Sequence, residues 1–394
     1  MSLLTDTPRA GSHSDSAAAF VPDQSRAERA RSYRPEDFEV PTGREEDWRF
    51  TPLDRLRGLT ADATFEGGSL SVSGRGSDQV TVQTVGRDHE AVGSSGYVPG
   101  SRASALAWAA ADEVRLLTVP REAELAEPFV LETTGASSEG ASAGHTVVVA
   151  GRHSRATVVL AYSGSATTSE NVEIVVEDGA ELTLVTVGEW RDDSVQLASH
   201  HGLVGRDASL KHIVVTLGGD VVRHDTSIAY AGPGGSFDGL GVYFADAGQH
   251  LEHRLFVDHE APHCRSNVEY KGALQGETAR TVWIGDVLIQ AAAEGTDTYE
   301  LNRNLVLTDG ARADSVPNLE IETGEIAGAG HASTTGRFDD EQLFYLQSRG
   351  IPQDEARRLV VRGFFASIVQ RIGVPEVTER VMSAIEAELA TAEQ

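Results

Sequence analysis

Cysteine occurs once in the 394 residues, at Cys264, and lysine only at Lys211 and Lys271. A single cysteine excludes a disulfide framework and any cluster site built from this chain's own thiolates. Neither lysine follows a glycine, so a Gly-x-x-x-x-Gly-Lys-[Ser/Thr] phosphate loop is absent and any ATP dependence must come from a partner. No stretch approaches the ~18 apolar residues that span a bilayer. The start, MSLLTDTPRAGSHSDSAAAF, lacks the basic segment and apolar run of a secretion signal, so a soluble, cytoplasmic protein is expected. Basic residues are scarce overall: 33 Lys and Arg face 60 Asp and Glu, a net charge of −27. That balance argues against binding nucleic acid or anionic membrane lipid, both of which need a basic face.

What the chain does have is enough apolar content for a core, at 40% of residues, and 40 glycines, which favour many tight turns. Residues 1–22 are Ser-, Ala- and Asp-rich without apolar periodicity and read as disordered. A mainly helical front domain is expected over 23–112. It would hold a short helix at Ser25–Tyr33, a helix begun by Pro52 with Leu53 and Leu56 on its apolar face, and a helix over Ser101–Asp112.

From about Glu113 to Glu322 strand-like runs follow one another (HTVVVAG, ATVVLAYSG, VEIVVEDG, LTLVTVG, HIVVTLGG), divided by Gly/Asp turns. Turns near Gly179, Asp207 and Gly234 recur at 28 and 27 residues, and Gly276 follows after 42, a loose repeat with insertions. No tryptophan-bearing blade signature marks a propeller, and a sandwich would end after ~100 residues. A mainly β solenoid of parallel β-helix type over 113–336 is the reading that remains. A helical C-terminal domain over 337–394 follows, with helices at Asp339–Gly350, Gln353–Ile372 and Pro375–Leu389.

Three groups carry candidate chemistry. His253, His259, His263 and Cys264 lie within twelve residues and have metal-ligand character. Adjacent strand residues point to opposite faces, however, so a packed cysteine beside surface histidines is the simpler reading. Asp309, Asp314, Glu320 and Glu322 offer paired carboxylates of the kind a β-helix carbohydrate-active enzyme uses, although Asp309-Gly310 is also ordinary turn chemistry. His331 stands among small residues in ETGEIAGAGHASTTGRF, between the last strands and the C-terminal helices. Phe344, Tyr345, Phe364 and Phe365 suit either a helical core or a surface awaiting a partner.

Two segments go further. GREEDWRFTPL near the front and DGARADSVPNLEIETGEIAGAGHASTTGRFDDEQLFYLQSRGIPQDEARRLVVRGFFASIV near the end resemble the signatures of the SufB/SufD family of iron–sulfur cluster assembly proteins. Asn302 stands about where the SufB-like branch carries a cysteine, and no CxxC motif lies near the front, so the chain resembles the SufD branch. The resemblance implies a right-handed parallel β-helix core between N-terminal and C-terminal helical domains. It implies a non-catalytic scaffold subunit that pairs with a SufB-like partner and docks the ABC-type ATPase SufC on its C-terminal helices, through Leu343, Phe344, Tyr345, Arg349, Phe364 and Phe365. It assigns His331, in His331-Ala332-Ser333-Thr334, to a transient iron–sulfur cluster at the heterodimer interface, with no cluster held stably by the chain alone. Where many relatives have a cysteine just before that histidine, this chain has Gly328, Ala329 and Gly330, so the thiolates would come from the partner. Cys264 is left between packing and sulfur or metal handling, and a homodimer is a further expectation for the isolated chain.

Overall fold

The computed structural model describes residues 30–61, 63–65, 70–338 and 340–391. The stretch 1–22 and the first part of the expected Ser25–Tyr33 helix fall outside the described residues, and Ala30–Tyr33 is not helical. In the front segment helix is confined, among the described residues, to α1 (Arg102–Ala110) and short 3-10 turns at Pro35–Asp37 and Leu53–Arg55. Ser101 caps α1 by accepting from the Ser104 amide, as an N-terminal serine should. The Pro52 helix is therefore a single tight turn. Leu70–Gly76 and Thr81–Gly86, inside the stretch expected to be mainly helical, form strands β1 and β2.

Strands then dominate: β3 (Glu113–Val119), β4 (Phe129–Ala150) and β5 (Arg155–Val176). Eleven ten-residue strands follow: β6 (Glu181–Trp190), β7 (Val195–Val204), β8 (Ser209–Gly218), β9 (Val221–Tyr230), β10 (Ser236–Ala245), β11 (His250–His259), β12 (Arg265–Leu274), β13 (Arg280–Ile289), β14 (Asp297–Val306), β15 (Arg312–Ile321) and β16 (Gly328–Arg337). From β4 onward every pairing between consecutive coils is parallel: β4 bonds along both halves to β5, β5 bonds to β6 and β7, and from β6 on each strand bonds to the strand two places away. The even strands stack into one wall and the odd strands into the other. Strand β5 belongs to both, its first half pairing with β6 and its second with β7. It turns the corner at Gly164, whose φ of +82° and close approach to the Gly135 carbonyl leave no space for a Cβ.

The expected parallel β-solenoid is thus the architecture, and its repeat is more regular than the turn residues suggest. Even-wall strands start at Glu181, Ser209, Ser236, Arg265, Asp297 and Gly328, which are 27 to 32 residues apart. The apparent 42-residue insertion compared Gly234, which precedes β10, with Gly276, which follows β12. Those turns sit at opposite ends of a coil.

Both walls are covered outside as well as inside. The inner faces form one core that includes Leu210, Tyr243, Tyr270, Trp283 and Leu274. The outer even wall (Val215, Val242, Phe244, Ala273) packs against α3 (Gln353–Val369) and α4 (Pro375–Thr391) through Val361, Phe365, Ile368 and Val381. α2 (Asp340–Ser348) precedes them. Polar clamps fix this cover: Lys271 Nζ donates to Ser367 Oγ at 2.6 Å and Arg371 pairs with Glu269 at 2.9 Å.

The outer odd wall carries the front segment, and the GREEDWRFTPL motif is the clasp. Trp48 lies 4.0 Å from the Arg223 guanidinium, and Arg254 donates to Asp47 Oδ1 at 2.7 Å. Thr51 Oγ1 donates to the buried Glu252 at 2.7 Å. Arg223, Arg254 and His250 surround Glu252 and pull its carboxyl down to about 2 despite burial. Removing one partner would leave a buried charge uncompensated, which makes the motif structural.

Inside the coil, Gly241 pairs with Tyr270 and Gly272 with Tyr243 on β10 and β12. A Cβ on either glycine would enter the opposing ring. Gly272→Ala is expected to cost about 1–3 kcal/mol by overpacking, measurable as a lower urea midpoint with an unchanged m-value.

Candidate functional site at the open end of the solenoid

In a parallel stack, residues in register point to the same side, so an inward position stays inward from coil to coil. The fourth residue of each ten-residue strand is such a position. On the even wall the column reads Leu184, His212, Gly239, Val268, Glu300, His331. On the odd wall it reads Ala198, His224, His253, Trp283, Ser315. The solenoid axis is therefore lined with ionisable and aromatic groups, where a plain apolar filling would have sufficed.

Four buried histidines form a file. His200 Nδ1 lies 3.2 Å from His212 Nε2, His224 stacks on His253 at 5.9 Å between ring centroids, and His253 bonds Thr216 Oγ1 at 2.9 Å. Burial lowers the pKa of all four, to about 3 for His212 and about 4 for His224. They are neutral rings at ordinary pH. Tyr243 stacks on His253 and hands the network on: its hydroxyl donates to Asn304 Oδ1 at 2.7 Å and accepts from Asn302 Nδ2 at 2.8 Å. Ser315 closes it, donating to Asn302 Oδ1 at 2.6 Å.

The last coil ends the stack. β15 bonds only to β13 and β16 only to β14, so the far edges of both strands are unpaired among the described residues. His331 is exposed on β16, in register with Glu300 and one strand beyond it. Ala329, with the same inward parity, packs on the interior core, which places His331 at the mouth of the axis. Glu300 is 1% exposed and neither of its carboxylate oxygens has a hydrogen-bond partner among the described residues. Burial, and secondarily the charge of Asp286, raise its pKa well above the usual carboxylate range.

Comparison with known proteins fixes the family. The sequence profile described as "SUF system FeS cluster assembly, SufBD core domain" matches residues 132–364. The chain belongs to the SufBD family. It is 54% identical over 368 residues to an iron–sulfur cluster assembly SufBD family protein of Mycobacterium tuberculosis, covering 92% of each. It is 26% identical over 387 residues to the iron–sulfur cluster assembly protein SufD of Escherichia coli, covering 88% of each. A SufBD family protein of Mycobacterium leprae matches at 28% over 211 residues, which is 54% of this chain and 24% of that protein.

Within this SufBD fold the other candidates separate. The stand-alone metal site is not assembled. His253 faces the axis, His259 bonds Ser266 Oγ at 2.9 Å, and His263 sits exposed in a turn with φ of +60°. Among the described residues no group of three His, Cys, Asp or Glu is arranged to hold a metal. Cys264 is fully buried, its Sγ 3.5 Å from the Gly232 carbonyl, and burial raises its pKa. Those surroundings suppress a thiolate.

Two of the four candidate acidic residues are taken up in ion pairs with arginine. Asp314 is held by Arg312 at 2.7 Å and Arg280 at 3.1 Å, and Asp309 by Arg337 at 2.7 Å. Of the expected partner-binding residues, Phe344 (71% exposed) and Tyr345 (56%) stand out from α2, with Arg349 over the Tyr345 ring. Leu343 is half-buried beside Leu307 and Phe338. Phe365 is the correction: it is fully buried in the α3–sheet core, and Phe364 packs partly against the same core. An α3 facing the sheet cannot offer both rings to a partner.

His200, His212, His224, Trp283 and Glu300 escaped the sequence reading, although the fourth place of each strand marks most of them. A neutral buried histidine has a sign in pH. With a folded pKa of about 4 and an unfolded value near 6.5, His224 supports stability above pH 6.5 and that support is lost as pH falls toward 4. The stability difference between the natural chain and His224→Leu should therefore shrink on acidification through this window, by up to about 1.4 kcal/mol per pH unit. Denaturation curves at several pH values measure it, and a pH-independent difference would contradict a neutral buried ring.

Proposed function

We propose that this SufBD family member is the SufD-like, non-catalytic half of a two-subunit scaffold on which an iron–sulfur cluster is assembled and released. The observation that carries the reading is the open last coil, with His331 exposed at its mouth between two unpaired strand edges. Unpaired edges are templates for another chain's strand. A SufB-like subunit adding its own coil there would continue the sheets and bring its groups over His331.

The chemistry is consistent with a shared cluster as cargo. An imidazole is a weaker, tunable iron ligand than thiolate, which suits a cluster that must leave. The chain's one cysteine is buried 0% exposed in the core, so thiolates come from the partner. The exposed Phe344 and Tyr345 on α2 favour docking of the SufC ATPase at that end, away from the face of α3 and α4 that the sheet already occupies. Motion of that ATPase would be transmitted through α3 to the even wall.

Two experiments address the two surfaces separately. With both partners co-expressed, His331→Ala is expected to assemble the complex while losing most of the cluster absorbance and bound iron. Full cluster yield would remove His331 from the reading. Phe344→Asp with Tyr345→Asp is expected to weaken capture of the ATPase by roughly tenfold or more, as loss of exposed aromatic anchors does, and to leave the SufB-like subunit bound. Unchanged ATPase capture would exclude α2 as its dock.

A further inference from the structure

We infer that Ser227 is a reactive nucleophile, activated by His201, that takes a short acyl group from a thioester in a cavity on the outer odd wall. The cavity lies between the front segment and strands β7, β9 and β11 and includes no residue of the last coil. The inference therefore stands apart from the scaffold reading above.

The register of the outer face brings the pair together. His201 is the seventh residue of β7 and Ser227 the seventh of β9, and the two are directly paired. The fourth residue of each strand faces the axis, so the seventh faces outward. Ser227 Oγ lies 2.7 Å from His201 Nδ1, and His201 Nε2 lies 3.1 Å from the Ser95 carbonyl. A carbonyl oxygen can only accept, so Nε2 carries the ring proton and Nδ1 accepts from the Ser227 hydroxyl. The hydroxyl's contact with the His200 carbonyl, at 3.4 Å, is too long to compete. Ser95 is itself buried and donates from its hydroxyl to Glu173 at 2.5 Å, which fixes the carbonyl that orients the ring. Nucleophile, base and orienting group thus stand in the order that serine acyl transfer uses. Burial, then the Arg31 charge, lower the His201 pKa to about 4 against the opposing pull of the Ser95 carbonyl and Glu173. Nδ1 is unprotonated at ordinary pH.

Both residues line a cavity of about 120 Å³, with Arg31, Trp48, Tyr97 and Asp225 among its other walls. That is about four water volumes, room for a short acyl group. Arg223 and Arg254 spend their guanidinium groups on Asp225 and Asp47. Arg31 is exposed and has no hydrogen bond or ion pair among the described residues. Its charge is placed to meet the oxyanion that forms when Ser227 adds to a carbonyl. A base as weak as His201 holds a proton only briefly, which restricts the donor to one with a good leaving group. A thioester is the class that fits. Ser227 Oγ adds to its carbonyl carbon as the hydroxyl proton passes to His201 Nδ1. The C–S bond then breaks, and the departing thiolate takes that proton. The products are the Ser227 ester and a free thiol.

To test this, the full chain is treated with a fluorophosphonate, which labels activated serines, or with S-acetyl-N-acetylcysteamine as the thioester. Peptide mass spectrometry then locates the adduct. One adduct per chain, on Ser227, is expected with each reagent. His201→Gln should slow labelling about a hundredfold, and Arg31→Ala roughly tenfold, with far-UV circular dichroism checking the fold of both. Labelling of the natural chain should stay nearly constant from pH 8 to about pH 5.5, where a base of ordinary histidine pKa would slow it about tenfold. Should His201→Gln not fold, the position of the adduct and this pH profile decide the matter in the natural chain. No adduct, an adduct on another residue, labelling undiminished by either substitution, or a tenfold fall at low pH would each overturn the inference. The His201–Ser227 contact would then be no more than a polar tie beneath the front segment.

Discussion

Register between parallel coils is the constraint on which everything else rests. Once each coil contributes one strand to each wall, a residue's inward or outward sense is copied into the next coil, because a slip of one place would invert every side chain. The stack therefore builds columns, and a column can carry a property over a distance no single loop could span. Here the two columns of fourth residues turn His212, Glu300 and His331 on the even wall, and His224 and His253 on the odd wall, toward the same axis. The same rule leaves the stack with an end. Nothing in a coil's own geometry closes it, and among the described residues β15 and β16 keep one edge each unpaired.

The two termini follow from a second consequence. Walls that are apolar outside as well as inside need covers, and the chain supplies one from each side. The front segment clasps the odd wall through Trp48, Asp47 and Thr51 on the Arg223–Glu252–Arg254 cluster. The helices α3 and α4 lie on the even wall through Phe365 and Ile368. These covers stop short of the last coil, where β15 is half-buried and much of β16 exposed. Protection of the walls and exposure of the mouth are thus one arrangement, and a functional end needs no separate device.

That pattern also explains what could be read from the sequence. Strand runs divided by Gly and Asp turns revealed the solenoid, and caps and apolar stripes located the C-terminal helices nearly to the residue. His331 stood out because small residues surround it. The columns were hidden because strands buried on both faces do not alternate apolar with polar, so parity cannot be read from β8 or β11 in isolation. Glu300 looked like one more charge in an acidic chain; only the pairing of β14 with β16 shows it beneath His331. Phe365 was ambiguous for a related reason, since a helix with apolar residues on a wide arc does not declare which side meets the sheet.

The central claim is that the unpaired last coil is the face on which a second SufBD subunit is built. Amide hydrogen exchange on this chain, alone and with a SufB-like partner, tests it most directly. Slowed exchange concentrated in 312–321 and 328–337, with the α2 amides unchanged until the ATPase is added, is the result this account requires. Protection of the outer walls or the front clasp, with β16 exchanging as freely as in the isolated chain, would contradict it.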